Sequence, residues 1–355
     1  MRVLLLGGTG AIGDNLTNIL KEKDVSTFVT SRRKRTNSGS IVYLRGNAHD
    51  NQFMEQICSE NWDAIVDFMS YKTPEFKNRV KLLLSCTNQY VFISSARVYA
   101  DVEHPIKETS PRLIDVIDDP AYLSTDEYAI TKARQENLIK SNAINNNYTI
   151  VRPYITYSNQ RFQLGVMEKE EWLFRALQGH TVVFPEEMCD KITTMTNGFD
   201  VALGIYNLLG NKNALGETFH ITSEEHRTWK EIIDIYSSII KDITGGEMKI
   251  KLVPLKDFLY CRNKGLEWQV LYDRMYNRVF DTTKESFYAG SKSFICPEKG
   301  IRDCLRGFLN SGGKFNIINY KNEAKKDKLT GEHCSFCAPA TLKQRITYFI
   351  NRYVL

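Results

Sequence analysis

Short, wholly apolar runs alternate with amphipathic stretches through the first 150 residues. Val3-Leu4-Leu5-Leu6 is apolar at every position and meets glycines at once, the pattern of a strand buried on both faces. Ile12, Leu16, Ile19 and Leu20 then fall on one helical face. Ser26 to Thr30 reads as a second strand, Thr36 to Ser40 as a turn cluster, and Ile41 to Leu44 as a third strand. Ala64 to Phe68, Tyr90 to Ile93 and Thr149 to Val151 continue the series, with helical stretches between them. Strands alternating with helices predict an α/β fold with a doubly wound parallel sheet, and such sheets bind ligands at the carboxyl ends of their strands.

Beyond Arg152-Pro153 the alternation fades. Phe162 to Gly179 and Asp200 to Leu209 read as helices, and the chain from about Gly245 is irregular, basic and aromatic. The predicted organisation is therefore a sheet domain over 1–160, with segments near 195–225 returning to it. A smaller C-terminal substrate domain takes 161–194 and 226–320. A basic linker and an amphipathic helix fill 321–355.

Composition narrows the picture only modestly. The 355 residues are 42% hydrophobic and 25% charged, as in globular proteins, and the net charge of +5 is small for the length. Nothing in that balance points to nucleic acid as a partner. No apolar run approaches the ~18 residues that span a bilayer. The opening Met1 to Leu6 is too short for a signal peptide. The eight cysteines are scattered, and Cys334-x-x-Cys337 has no second pair to complete a zinc site. A reduced cytoplasmic protein without a metal is expected.

The chemistry begins at Gly7-Gly8-Thr9-Gly10-Ala11-Ile12-Gly13, between the first strand and the first helix. Glycines there permit a tight turn, close approach of a pyrophosphate and tight helix packing, while the helix N-terminus offers free N–H groups to phosphate. In this strand–turn–helix position the pattern identifies a Rossmann-type dinucleotide site. Asp14 follows Gly13, which excludes a kinase-like phosphate loop. The second strand ends Thr30-Ser31-Arg32-Arg33 with no carboxylate for a ribose 2′-hydroxyl. Arginines suit a 2′-phosphate, so NADP(H) is the expected cofactor and NAD(H) the alternative. Ser31, Arg32 and Arg33 are expected around the adenosine half. Phe68, Met69, Ser70 and Ser94, at the ends of later strands, are expected to bind the cofactor as well.

Tyr128 and Lys132 lie four residues apart, one turn along a helix. A free tyrosine has a pKa near ~10 and is a poor base at neutral pH. A neighbouring ammonium favours the phenolate, and the pair can then pass a proton to or from a carbonyl while a nicotinamide exchanges hydride. Ser94-Ser95-Ala96-Arg97-Val98-Tyr99 follows the fifth strand, where Ser95 can meet the substrate oxygen beside that tyrosine.

Together these segments resemble the extended short-chain dehydrogenase/reductases, specifically the NAD-dependent epimerase/dehydratase family. Ile93 to Tyr99 is similar to that family's Ser-Ser-x-x-Val-Tyr signature, and Arg152-Pro153-Tyr154-Ile155-Thr156-Tyr157 to its segment beside the nicotinamide. Gly46-Asn47 resembles its Gly-Asp pair near the adenine, and Asp200-Val201-Ala202 and Phe280 to Lys284 match later landmarks. The resemblance implies Ser95, Tyr128 and Lys132 as catalytic residues, with Lys132, Pro153 and Tyr154 also against the cofactor. It implies a nucleotide-linked sugar or related polyol as substrate, with Arg97, Arg274 and Arg278 as candidate contacts. Ser95-Ala96-Arg97 stands where the 4,6-dehydratases carry Thr-Asp-Glu, which disfavours water elimination. An NADPH-dependent ketoreductase is the leading expectation, and an epimerase with retained NAD the alternative. A non-catalytic binding protein ranks third, because the serine, tyrosine and lysine are all present. Leu342, Ile346, Phe349 and Tyr353 share one face of the last helix, expected to open at Pro339 and suited to docking or a homodimer contact.

Overall fold

The computed structural model describes residues 1–262, 265–289, 294–335, 339 and 341–354. It divides into two compact units. The first comprises Met1–Ser158, Thr194–Glu225 and Val279–Pro297, and the second Asn159–Thr193, His226–Arg278 and Glu298–Leu355.

The first unit is built on a seven-stranded parallel sheet. Its strands are β1 (Arg2–Leu6), β2 (Ser26–Ser31), β3 (Ile41–Arg45), β4 (Ala64–Asp67), β5 (Tyr90–Ile93), β6 (Tyr148–Val151) and β7 (Glu217–Phe219), in spatial order β7-β6-β5-β4-β1-β2-β3. Every pairing is parallel. The order reverses beside β1, which opens the ligand crevice there. Side chains alternate across the strands, so the continuous apolar run of β1 feeds two cores. Val3 and Leu5 pack with Leu16, Ile19 and Leu20 of α1 (Gly13–Glu22) on one face. Leu4 and Leu6 pack on the other, with Met54 of α2 (Asn51–Ile57) and Phe76, Val80 and Leu83 of α3 (Thr73–Ser85). Ile139 of α4 (Tyr128–Asn142) joins that second core, and Val201, Ala202, Ile205 and Leu208 of α5 (Gly198–Leu208) join the first.

The second unit departs from the sequence reading in three places. Phe162 to Gly179 is not one helix. Gly165 takes a left-handed φ of +60° and turns a short hairpin, Gln163–Leu164 against Met167–Glu168, so helix remains only at Leu173–Leu177. α6 (Trp229–Thr244) carries a Thr228/Glu231 capping box and ends on left-handed Gly245.

The second departure is the lysine-rich stretch read as a linker, which is α7 (Tyr320–Thr330). Its buried face is polar. Arg175, 1% exposed, donates to Glu323 and Asp327 at 2.8 Å each and to Glu332 at 3.1 Å. Lys326 is buried against Glu323 and the Glu171 carbonyl. Third, the last helix starts not at Pro339 but at α8 (Leu342–Phe349), where Thr341 and Gln344 form a capping box. Leu342, Ile346, Phe349 and Tyr353 are exposed in this chain. Cys334 is described, whereas Cys337 lies outside the described residues. Residues 279–297, read from the sequence as substrate domain, belong to the first unit.

Candidate active site

The glycine turn needs its glycines for separate reasons. Gly7 adopts a left-handed φ of +69°, and a Cβ there would stand 2.7 Å from the Met69 sulfur. A Cβ on Gly13 would lie 2.6 Å from the Gly8 Cα, so the start of α1 could not sit so close to the turn. Thr30 Oγ1 accepts from the Gly7 N–H at 3.0 Å and ties the turn to the end of β2. The Ala11 carbonyl accepts from Asn15, and Ile12 packs into the core below.

These residues open onto a cavity of about 750 Å³ lined by Gly7, Thr9, Thr30, Ser31, Arg32, Arg33, Arg35, Gly46, Asn47, Ala48, His49 and Met69. Ser31, Arg32, Arg33, Asn47 and Met69 thus meet with the glycine turn, as a dinucleotide's adenosine half requires. Arg32, Arg33 and Arg35 are exposed on its rim. The Ser31 hydroxyl donates to the Arg33 carbonyl at 2.8 Å and shapes the loop that carries them. Arg35, Thr30 and His49 were not singled out from sequence. Arg35 lay in a charge run that gave no position, and His49 is fixed by Glu75, 26 residues away and 2.6 Å distant. Phe68 packs into the core instead of lining the cavity, and Ser70 is exposed outside its lining.

The second group of predicted residues gathers at the carboxyl ends of β5 and β6. Ser95 is almost fully buried, and its Oγ accepts from the Arg97 N–H at 3.2 Å. The Pro153 carbonyl accepts from the Ala96 N–H, which locks the two strand ends together. Tyr154 is buried, its ring 5.5 Å from that of Phe280. Tyr128 is the first residue of α4 and is 40% exposed. The Arg97 guanidinium lies 5.2 Å from the Tyr128 ring centre and pairs with Glu127 at 2.5 Å. Lys132 is buried one turn further on. Its ammonium donates to the Ile93 carbonyl at 2.8 Å, lies 4.4 Å from the Phe92 ring centre and 5.8 Å from that of Tyr128. Burial lowers its pKa to about 8, against the fields of Asp67 and Glu136.

Beneath this group Glu136 is fully buried. Arg152 grips it at 2.6 and 2.8 Å, Arg112 reaches it at 3.2 Å, and the Ser94 hydroxyl donates to it at 2.6 Å. Ser94 is therefore a brace under the β5 end. Arg274 and Arg278, in the second unit, are buried and both bond Asp273. The Arg274 guanidinium also donates to the Gly165 carbonyl.

A parallel sheet with a glycine turn at its reversal point defines a Rossmann-type fold of the short-chain dehydrogenase/reductase kind. The chain belongs to the NAD dependent epimerase/dehydratase family, which it matches over residues 3–198. It is 26% identical over 247 residues to the chloroplast stem-loop binding protein of 41 kDa b of Arabidopsis thaliana, a match covering 64% of this chain and 60% of that protein. Over 138 residues it is 30% identical to the UDP-glucose 4-epimerase of Streptococcus mutans, covering 32% of this chain and 41% of that enzyme. The chain thus spans less than two thirds of either curated relative. Among solved structures, the dTDP-glucose 4,6-dehydratase of Bacillus anthracis in complex with NAD superposes with a TM-score of 0.68 at 14% identity. That match covers 90% of this chain and all of the other. No described helix is long and apolar enough to cross a membrane.

Proposed function

We propose that this protein is an NADP(H)-dependent ketoreductase acting on a nucleotide-activated sugar or polyol. The observation that carries the reading is the Lys132 ammonium, 2.8 Å from the Ile93 carbonyl at the β5 end that leads into Ser95 and 5.8 Å from the Tyr128 ring centre, in the same unit as the glycine turn. The cavity fits a dinucleotide: left-handed Gly7 lines it with no side chain, where a Cβ would crowd Met69 of the same lining, and the cationic rim suits a phosphate. When bound, the nicotinamide supplies or accepts the hydride.

The chain's own residues manage the proton. Ser95 holds the substrate oxygen. Tyr128 gives its phenolic proton to that oxygen in reduction and takes it back in oxidation. The Lys132 ammonium makes that exchange accessible near neutral pH by favouring the phenolate. Arg32 and Arg33, with no carboxylate beside them in the cavity lining, support the preference for a 2′-phosphate.

Two other readings have an observation behind them. The likeness to a UDP-glucose 4-epimerase favours an epimerase on retained NAD(H), using the same three residues. The likeness to a stem-loop binding protein favours an RNA partner. Extraction of bound nucleotide followed by titration with NADPH and NADH separates the first two. Exchangeable binding that prefers NADPH supports the reductase, and tightly retained NAD(H) supports the epimerase. Tyr128→Phe separates both from RNA binding, because it should stop turnover and leave stem-loop affinity unchanged.

A further inference from the structure

Asp67 ends β4 wholly buried, a lone carboxylate in an otherwise apolar strand. Its bonded partners are neutral. Tyr90 donates its phenolic hydrogen at 2.7 Å, the Met69 N–H donates at 2.9 Å, and the Tyr71 hydroxyl lies at 3.4 Å. An ionised carboxylate in such a place is costly without an opposite charge nearby. Strand register shows where that charge is. Asp67 stands directly across from Phe92, on the face of the sheet covered by α3 and α4. The Lys132 ammonium rests on that same Phe92 ring.

The other carboxylate acting on Lys132 is Glu136, on its own helix, and it is already committed to Arg152 and Arg112. From the remaining packed elements the groups near this cluster are Tyr90 of β5, Tyr71 in the β4–α3 loop, and two that flank the Tyr71 ring: Arg79 of α3, its guanidinium 5.2 Å from the ring centre, and His49, its ring 5.6 Å away. Tyr128 is the remaining titratable group beside Lys132. Burial holds the phenols of Tyr71 and Tyr90 far above their ordinary range, so they stay neutral donors.

We propose that Asp67 is a positioning residue that keeps the Lys132 ammonium charged and directed at the β5 end. The proposal rests on the assignment of Lys132 to the reaction and extends it one layer inward. Asp67 touches neither substrate nor cofactor in this role. It supplies the negative charge that Glu136, spent on two arginines, does not. Burial pushes the Asp67 pKa up, while its three donors and Lys132 pull it back. Protonation of Asp67 or loss of its charge therefore lets burial lower Lys132 further.

The test is direct titration of Lys132 in full-length protein carrying 13Cε-labelled lysine, with the resonance assigned by its loss in Lys132→Met. The wild-type midpoint should lie near pH 8. In Asp67→Asn it should fall by about one unit or more. Tyr90→Phe removes the carboxylate's nearest donor and should move the midpoint in the same direction by less than Asp67→Asn does. Asp67→Ser repeats the measurement if the asparagine chain does not fold. An unmoved or raised midpoint in a folded Asp67 variant overturns the proposal. The readout is independent of turnover. A shifted midpoint in a chain that reduces no nucleotide sugar leaves Asp67's role standing and removes the reductase reading. An active reductase with an unmoved midpoint does the reverse.

Discussion

Lys132 in the sheet unit and Arg175 in the second unit are both cations with almost no exposure, yet they are buried in opposite ways. Arg175 has three carboxylates within 3.1 Å, and its pKa is raised. Among the described residues Lys132 has no carboxylate within ion-pair reach. A carbonyl, an aromatic ring and two more distant carboxylates hold it, and its pKa falls to about 8. A cation surrounded by anions cannot change state near neutrality and serves packing. A cation left short of counter-charge sits near a titration point, as proton chemistry requires. The neighbourhoods differ likewise: Tyr128 beside Lys132 is 40% exposed, whereas Tyr348 beside Arg175's carboxylates is buried and donates to Asp327 at 2.5 Å.

The largest effect should come from Tyr128→Phe. Loss of a positioned acid/base lowers kcat by roughly 10²–10⁴-fold. Stopped-flow absorbance at the nicotinamide band should show that loss with cofactor affinity nearly unchanged. Next comes pH. The unfolded-state lysine titrates near 10.5 and the folded one near 8, so the depressed pKa means that burying the charged form costs stability below pH 8. That cost is relieved as pH rises from 8 toward 10.5, because the unfolded chain then binds the extra proton. Activity should move the other way. A rate profile should fall about tenfold per unit above pH 8 as the ammonium is lost. The smallest effect belongs to the cofactor rim. Replacing Arg32 and Arg33 together by alanine should weaken NADPH by about tenfold to a hundredfold and leave NADH nearly unchanged, as fluorescence titration would show.

The same contrast explains what the sequence disclosed. The alternating core, the glycine turn and the Tyr128–Lys132 spacing rest on neighbours a few residues apart, so they were legible. Arg175 reaches partners 148 to 157 residues away, so a lysine-rich stretch concealed a helix whose glutamate and aspartate were its anchors. The apolar spacing from Phe162 to Trp172 suited a helix until Gly165 turned it into a hairpin. Asp67 gave no signal as one acid at the end of an apolar strand, because its meaning lies in register with Phe92 and in the hydroxyl of Tyr90. Arg35 and His49 join the cofactor cavity through loop geometry that no spacing rule encodes.

The most direct test sets the two buried cations side by side: Lys132→Met and Arg175→Met, each measured for kcat and for unfolding free energy by denaturant titration. The account expects Lys132→Met to lose turnover by at least a hundredfold with a stability loss well below that of Arg175→Met, because a cation that is costly to bury is removed and the single carboxylate left, Asp67, can take up a proton. It expects Arg175→Met to lose about 3–5 kcal/mol of stability, since three carboxylates are left without their cation, with kcat of the folded protein unchanged. Equal loss of turnover in both variants, or a Lys132→Met protein that keeps full activity, would contradict it.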